Sequence, residues 1–440
     1  MILQLLEQSV FTLLLFAAIF LFVRNIRKVM RNIHLGRPTD RYDRSGLRWK
    51  TMLRVALGQS KMVVRPVAGV FHIFVYVGFV VINIEVLEII IDGVFGTHRV
   101  FSFLGPFYDF LIGSFEILAL LVLVGVVVFL ARREVIRLKR FRMRELSGWP
   151  RSDANIILVT EILLMSAFLF MNASDGLLQE RGYTHYVSAG VFPVSTFLHP
   201  ILASWSDTSL VLLERFCWWF HIVGILLFLN YLPYSKHLHI FLSFPNTYYS
   251  NLDPKGRFSN MDAVTREVRL MLDPGDASSA DQSAPARFGA KDVKDLTWKQ
   301  LMDAYSCTEC GRCTSVCPAN LTGKLLSPRK IMMDTRDRLE EYGNGLDTTG
   351  DSFDDGKSLF DRIKEEELWA CTSCNACTDA CPVNIDPLSI IIDMRRYLIM
   401  EESKVPQELA GMFNKVENNG APWQFSQADR LNWANSDSNS

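Results

Sequence analysis

Little in this chain is left over for a disulfide framework. Nine cysteines occur in 440 residues, and eight of them fall in two short runs. The ninth, Cys217, stands beside Trp218 and Trp219 in an apolar segment and reads as a packing residue. With no spare thiols, a disulfide scaffold is excluded and the cysteine runs belong to a reducing compartment. Net charge is also scarce: 46 basic and 47 acidic residues leave −1, which argues neither for nor against a nucleic-acid partner. Basic residues are absent before the first apolar stretch, and the cluster Arg24, Arg27 and Lys28 follows it. That order, with no small-x-small cleavage site, is expected to anchor the chain and not to be removed as a signal peptide.

What is present is concentrated in two places. The runs are Cys307-x-x-Cys310-x-x-Cys313-x-x-x-Cys317-Pro318 and Cys371-x-x-Cys374-x-x-Cys377-x-x-x-Cys381-Pro382. This is the spacing of a two-cluster bacterial ferredoxin, in which the fourth cysteine of each run serves the other cluster. Cys307, Cys310, Cys313 and Cys381 are therefore expected to hold one [4Fe–4S] cluster, and Cys371, Cys374, Cys377 and Cys317 the second. The alternative is zinc or disulfides, but zinc ligands rarely come as four cysteines in this spacing, twice.

The apolar residues crowd into the first 245 positions, which implies a membrane half followed by a soluble half. Five segments, 5–23, 66–91, 106–131, 153–173 and 208–232, are long enough to cross a bilayer. The loops 24–65 and 132–151 are dense in Arg and Lys, while 92–105 and 174–207 carry only Arg99 and Arg181. By the positive-inside rule the N-terminus lies outside and the C-terminal half in the cytoplasm of a bacterial inner membrane. A charge run is usually only a solvated face, but here it alternates with the spans.

Histidines inside the spans carry the next expectation, because a ring nitrogen in hydrocarbon is costly. His72 lies in the second span, His221 in the fifth, and His237 and His239 where the fifth leaves the membrane. His221 and His239 are eighteen residues apart, about 27 Å along a helix, too far to bind one metal. A bis-histidine heme b between spans two and five is the natural reading; the alternative is that each ring bonds a neighbour.

Here the sequence resembles a known family. The stretch from His221 through Pro233 and Lys236 to His239 is similar to the last helix of the gamma subunit of respiratory nitrate reductase. Gly69-Val70-Phe71-His72 is similar to the entry to that family's second helix. The resemblance implies that His72 and His239 hold the heme b nearer the cytoplasm and that His221 serves one nearer the outside. The family's second ligand on span two lies ten residues after the first, where this chain has Ile82. His98, His185 and His199, in the outer loops, stand open as substitutes.

The soluble half begins with a connector, 246–290, whose Asp273-Pro-Gly-Asp-Ala-Ser-Ser sequence reads as a flexible tether. The clusters belong to a domain from 291 to 404, with helical patterns at 328–341, 358–370 and 387–401. The long gap between the runs resembles the helical ferredoxin domain of heterodisulfide reductase and of glycolate oxidase-type subunits. In that family the tail, here 405–440 with Glu408 to Trp423, Arg430 and Trp433, commonly leads into Cys-Cys-Gly repeats, which are absent from these 440 residues. The resemblance implies a partner that carries the repeats, or a flavoprotein, docked near residues 405–435.

The fold class expected is all-α: a five-helix transmembrane bundle at 1–245, then a helical dicluster ferredoxin domain. The expected function is that of a membrane electron-transfer subunit of a quinone oxidoreductase complex. It would relay electrons between a cytoplasmic redox partner, two [4Fe–4S] clusters, heme b and quinone, with quinone exchange near the heme. The competing reading is a membrane anchor that tethers a ferredoxin to a redox-sensing assembly, which has no use for His72 and His239.

Overall fold

The computed structural model describes residues 2–273 and 287–436. The centre of the expected tether, 274–286, and the last residues, 437–440, lie outside the described residues. The chain is 71% helical, and there is no strand among the described residues. The membrane half comprises α1 (Ile2–His34), the short α2 (Ser45–Met52), α3 (Pro66–Phe95), α4 (Pro106–Glu134), α5 (Trp149–Glu180), a single turn α6 (His199–Leu202) and α7 (Asp207–Tyr231). Then come α8 (His239–Tyr248), α9 (Asp262–Leu272), α10 (Trp298–Ser306), α11 (Pro318–Leu321), α12 (Pro328–Thr349), α13 (Glu365–Trp369), α14 (Ala376–Ala380), α15 (Pro387–Met400) and α16 (Gln407–Asn419).

Five of these helices, α1, α3, α4, α5 and α7, are long and apolar enough to cross a bilayer. Their starts follow from local sequence. Pro66, Pro106 and Pro150 stand in the first turns of α3, α4 and α5, where a missing N–H costs nothing. Ser206 caps α7 by accepting from Ser209 N at 3.2 Å. Gly96, at φ 68°, ends α3 in the left-handed region. Helices α3, α4, α5 and α7 pack in sequence order around Ile112, Phe115, Ala119 and Phe168, all essentially closed to solvent. Helix α1 lies on the outside of α3 and α7, and Leu13 and Phe16 face away from the protein.

Helix α1 also runs beyond the apolar stretch expected at 5–23. The reason is packing: its basic end continues as helix onto the soluble half. Asn32 donates to Tyr305 Oη at 3.0 Å, Arg31 to the Gly343 carbonyl at 2.8 Å, and Lys28 pairs with Asp347 at 2.6 Å. Val29 and Ile33 of α1, with Leu232 and Leu238 after α7, belong to the same apolar core as Leu301, Ile331 and Met394 of the soluble half. The two halves are thus held by a shared core, not by the connector alone. The pattern at 358–370 folds as two short turns, because Ser358 and Lys364 each begin a separate capped helix.

Candidate redox site

The two cysteine runs fold alike. In the first, Glu309 (φ 55°) and Gly311 (φ 70°) take left-handed backbone; in the second, the equivalent Ser373 (φ 56°) and Asn375 (φ 60°) do the same. These turns curl the first three cysteines of each run around a common point. Cys317 and Cys381, each pushed to extended backbone by the proline that follows, leave their own runs. Cys313 lies within electrostatic reach of Cys307, Cys310 and also Cys381, while Cys371 has Cys374 and Cys317 as neighbours.

All nine thiols are free. Among the described residues no three of His, Cys, Asp and Glu converge tightly enough for a single metal ion. An iron–sulfur cube needs the wider ring, since each thiolate binds a different iron. Burial pushes the Cys307, Cys377 and Cys381 thiols up to about 12. Cluster assembly must displace those protons, so binding at these thiols releases protons and depends on pH. Cations stand by to offset the added negative charge: Arg312 beside Cys310 and Cys381, Arg336 beside Cys307, Lys61 beside Cys381 and Arg395 beside Cys371. Backbone N–H groups of Ser373 and Ile385 donate to Cys371 Sγ at 3.4 Å and Cys381 Sγ at 3.3 Å. The eight thiols therefore fit two [4Fe–4S] clusters.

From the loops of these runs a cavity of about 430 Å³ leads into the membrane half. Cys310, Arg312 and Pro382 line one end; His72, His237, His239 and His221 line the rest. His237 and His239 stack edge to face 5.5 Å apart, with His72 in electrostatic reach of both. Burial, then the His239 and His72 rings, hold His237 down to about 3, so it is neutral. The His239 Nδ1 lies 3.1 Å from the Lys236 carbonyl and the His221 Nδ1 lies 3.0 Å from the Leu164 carbonyl. A carbonyl only accepts, so both rings carry the proton on Nδ1 and leave Nε2 bare, the state of a metal-ligating imidazole. The His72 Nδ1 is buried without a partner. These features fit an iron porphyrin between His72 and His239.

His221 is set apart. Its ring packs on Phe168, 5.9 Å between centroids, and among the described residues no second imidazole makes a ring contact with it. His98 and His185 instead meet each other 5.6 Å apart, in a separate pocket of about 390 Å³ at the far end of the bundle, lined also by Asp175, Arg99 and Glu85. His199 lies elsewhere again, 3.6 Å from Glu180.

The sequence reading missed Glu161, a carboxyl within the apolar part of α5 that lines the histidine cavity. Its signal was available: an ionisable residue inside a span. It also missed the arginines at the cluster end of the cavity, where Arg133 and Arg140 each keep a buried Nε without a partner.

Comparison with known proteins agrees with this chemistry. Residues 306–385 match a family described as a 4Fe-4S dicluster domain, and residues 272–322 match a second family of the same description. The chain is 28% identical over 446 residues to a probable iron-sulfur-binding oxidoreductase, FadF, of Bacillus subtilis, covering 94% of this chain and 59% of that protein. It is 27% identical over 412 residues to an EtfAB:quinone oxidoreductase of Syntrophomonas wolfei, covering 86% of this chain and 52% of that protein. A probable membrane-anchored ferredoxin of Chromohalobacter salexigens is 33% identical over 171 residues, 34% of this chain and 25% of its own. The chain thus spans between half and three fifths of the first two relatives. No solved structure matches it. The chain is a multi-pass membrane protein with 4Fe-4S dicluster chemistry, similar to electron-transfer subunits of iron–sulfur oxidoreductases.

Proposed function

We propose that this chain is the membrane electron-transfer subunit of a quinone oxidoreductase complex. The observation that carries the reading is the single cavity that joins the loops of Cys310 and Pro382 to His72, His237 and His239. In this reading Cys307, Cys310, Cys313 and Cys381 hold one cluster, and Cys371, Cys374, Cys377 and Cys317 the other. His72 and His239 hold a heme b beside the first. When bound, these groups supply one-electron carriers in a row; the chain's own part is order, spacing and charge. Lys236 keeps the row rigid, since it donates to the Pro150 carbonyl at 2.5 Å and pairs with Glu309 inside the first cluster loop. Arg312 and Arg336 favour the reduced, more negative state of the first cluster.

The basic loops support an orientation with the cluster domain in the cytoplasm of a bacterium, where a soluble redox partner would supply or take the electrons. The name of the Syntrophomonas relative supports an electron-transferring flavoprotein in that role and quinone at the other end. Residues 405–435 are the surface proposed for that partner: α16 has no buried residue, and Trp423, Phe425 and Leu431 after it are exposed.

The test is a reduced-minus-oxidised spectrum of the purified chain. The expected result is a b-type band that His72→Ala or His239→Ala abolishes while the iron–sulfur absorbance stays. Absence of the band in the wild-type chain leaves only a tethered ferredoxin and overturns the heme reading.

A further inference from the structure

The cavity is longer than one cofactor requires. Along α3 it is lined from Ala68 to Val86, eighteen residues or about 27 Å of helix. The histidines His72, His237 and His239 occupy its cluster end. The remainder, towards Val86, is largely apolar; its polar side chains include Asn83 of α3, whose amide donates to the Phe79 carbonyl, and two groups able to take a proton, His221 on α7 and Glu161 on α5. The two stand close in height, because His221 bonds the carbonyl of Leu164, one turn beyond Glu161.

Three observations decide what this upper part holds. First, His221 presents a bare Nε2 but has no imidazole opposite; Ile82 lines that wall instead. One axial nitrogen is half of a bis-histidine site. Second, a carboxyl inside a span that reaches a cavity is expensive unless it has a task. Third, the cavity wall includes Phe79 and Val80 of the span α3, which are 42% and 54% exposed, so the wall is open at this point within the apolar helix. A lipid-soluble ring can enter there without crossing water.

We infer that the upper part of this cavity is the quinone site, with His221 Nε2 and the Glu161 carboxylate as hydrogen-bond acceptors for the two hydroxyls of a bound quinol. The inference rests on the quinone reading proposed above. Oxidation of the quinol breaks both O–H bonds. One proton passes to His221 Nε2 and one to Glu161, and two electrons leave the ring, one to each oxidised cluster. In the opposite direction two reduced clusters supply the electrons and the same two groups return the protons. The His221 Nδ1–H bond to Leu164 keeps Nε2 aimed into the cavity in either direction. Glu161 and His221 are proton-handling residues of this site, and neither holds an iron.

The test uses the full chain in detergent, with a fluorescent hydroxyquinoline N-oxide as the quinol analogue and heme counted per chain. Wild type is expected to quench the analogue at one site. Glu161→Gln and His221→Gln, which keep volume, are each expected to weaken that binding by roughly tenfold, the loss of one buried hydrogen bond. Heme per chain and the iron–sulfur absorbance should stay at the wild-type value in both, which also shows that the variants fold. A fall in heme with His221→Gln would make His221 an axial ligand and overturn the proposal. Unchanged analogue binding in both variants would overturn it equally, while leaving the quinone reading intact. A wild-type chain that binds no analogue at all would remove the quinone reading itself.

Discussion

Arg312 of the first cysteine run and Lys61 of the loop before α3 form a chain of contacts that ends on the second run. Arg312, between the cysteines of the first run, donates to the Lys61 carbonyl at 2.9 Å and to the Met62 carbonyl at 3.2 Å. Lys61 in turn donates to the Cys381 carbonyl at 3.1 Å and to Asn384 Oδ1 at 2.8 Å. The loop before α3 is thereby fastened to both cysteine loops that flank the histidine cavity.

Arg312→Ala removes a nearly closed guanidinium and leaves the two carbonyls of the membrane loop without a donor. The expected loss is about 1.5–3 kcal/mol, the range for a hydrogen bond from a charged group. It would be read as a lower denaturant midpoint for bleaching of the iron–sulfur absorbance. Lys61→Ala should cost less, since its ammonium is replaced more easily by water. Because the two share one latch, the double variant should lose less than the sum. Strict additivity would mean the two contacts act separately.

Gly36 gives a second mechanical prediction. A Cβ there would sit 2.5 Å from Trp298 N and 2.7 Å from the Thr297 carbonyl carbon, both backbone atoms. The close approach lets Arg37 N donate to the Leu296 carbonyl at 2.7 Å and the Arg37 carbonyl accept from Trp298 N at 3.1 Å. Gly36→Ala should separate the end of α1 from α10 and destabilise by about 1–3 kcal/mol, as for other overpacked contacts. Gly46→Ala, in the helix α2 with nothing within 4 Å, is the control and should not lower the midpoint.

The crossed cysteines can be separated by substitution. If Cys381 completes the first cluster, Cys381→Ser should abolish or shift the magnetic-resonance signal of the cluster held by Cys307, Cys310 and Cys313. Cys317→Ser should do the same to the other. Full loss of one cluster would lower non-heme iron from roughly eight to roughly four atoms per chain. Loss of the same signal in both variants would refute the crossed assignment.

Much of this architecture was legible in the residues. The five apolar runs and the doubled Cys-x-x-Cys-x-x-Cys pattern each depend on short-range chemistry, so they can be read in order along the chain. His72 and His239 stood out as a ring inside a span and a ring where a span ends, and both line the cavity. What could not be read depends on contacts between distant segments. The basic stretch after residue 23 reads as a loop, yet it is helix, because Tyr305 and Gly343 supply partners for Asn32 and Arg31. That His221 stands opposite Ile82 and near Glu161 follows only from how α3, α5 and α7 surround one cavity.

Glu340 on α12 makes the cluster domain sensitive to pH. Burial pushes its carboxyl up to about 7 from an ordinary 4.5, with Arg336 opposing and Asp337 adding to the rise. The folded state therefore prefers the protonated acid. Below about 4.5 both folded and unfolded chains carry the proton, and the group contributes fully. As pH rises towards 7 the unfolded chain releases the proton while the folded one keeps it, so stability falls through that window. Above 7 the folded group ionises as well, in a setting that disfavours the charge. Glu340→Gln should flatten this slope and raise stability near pH 8. Arg336 keeps its 2.9 Å bond to Glu309 in the variant, so the first cluster loop is not disturbed. Denaturant unfolding of the full chain at several pH values between about 5 and 8 reads the effect. A wild-type slope that persists unchanged in Glu340→Gln would assign the pH dependence to another group.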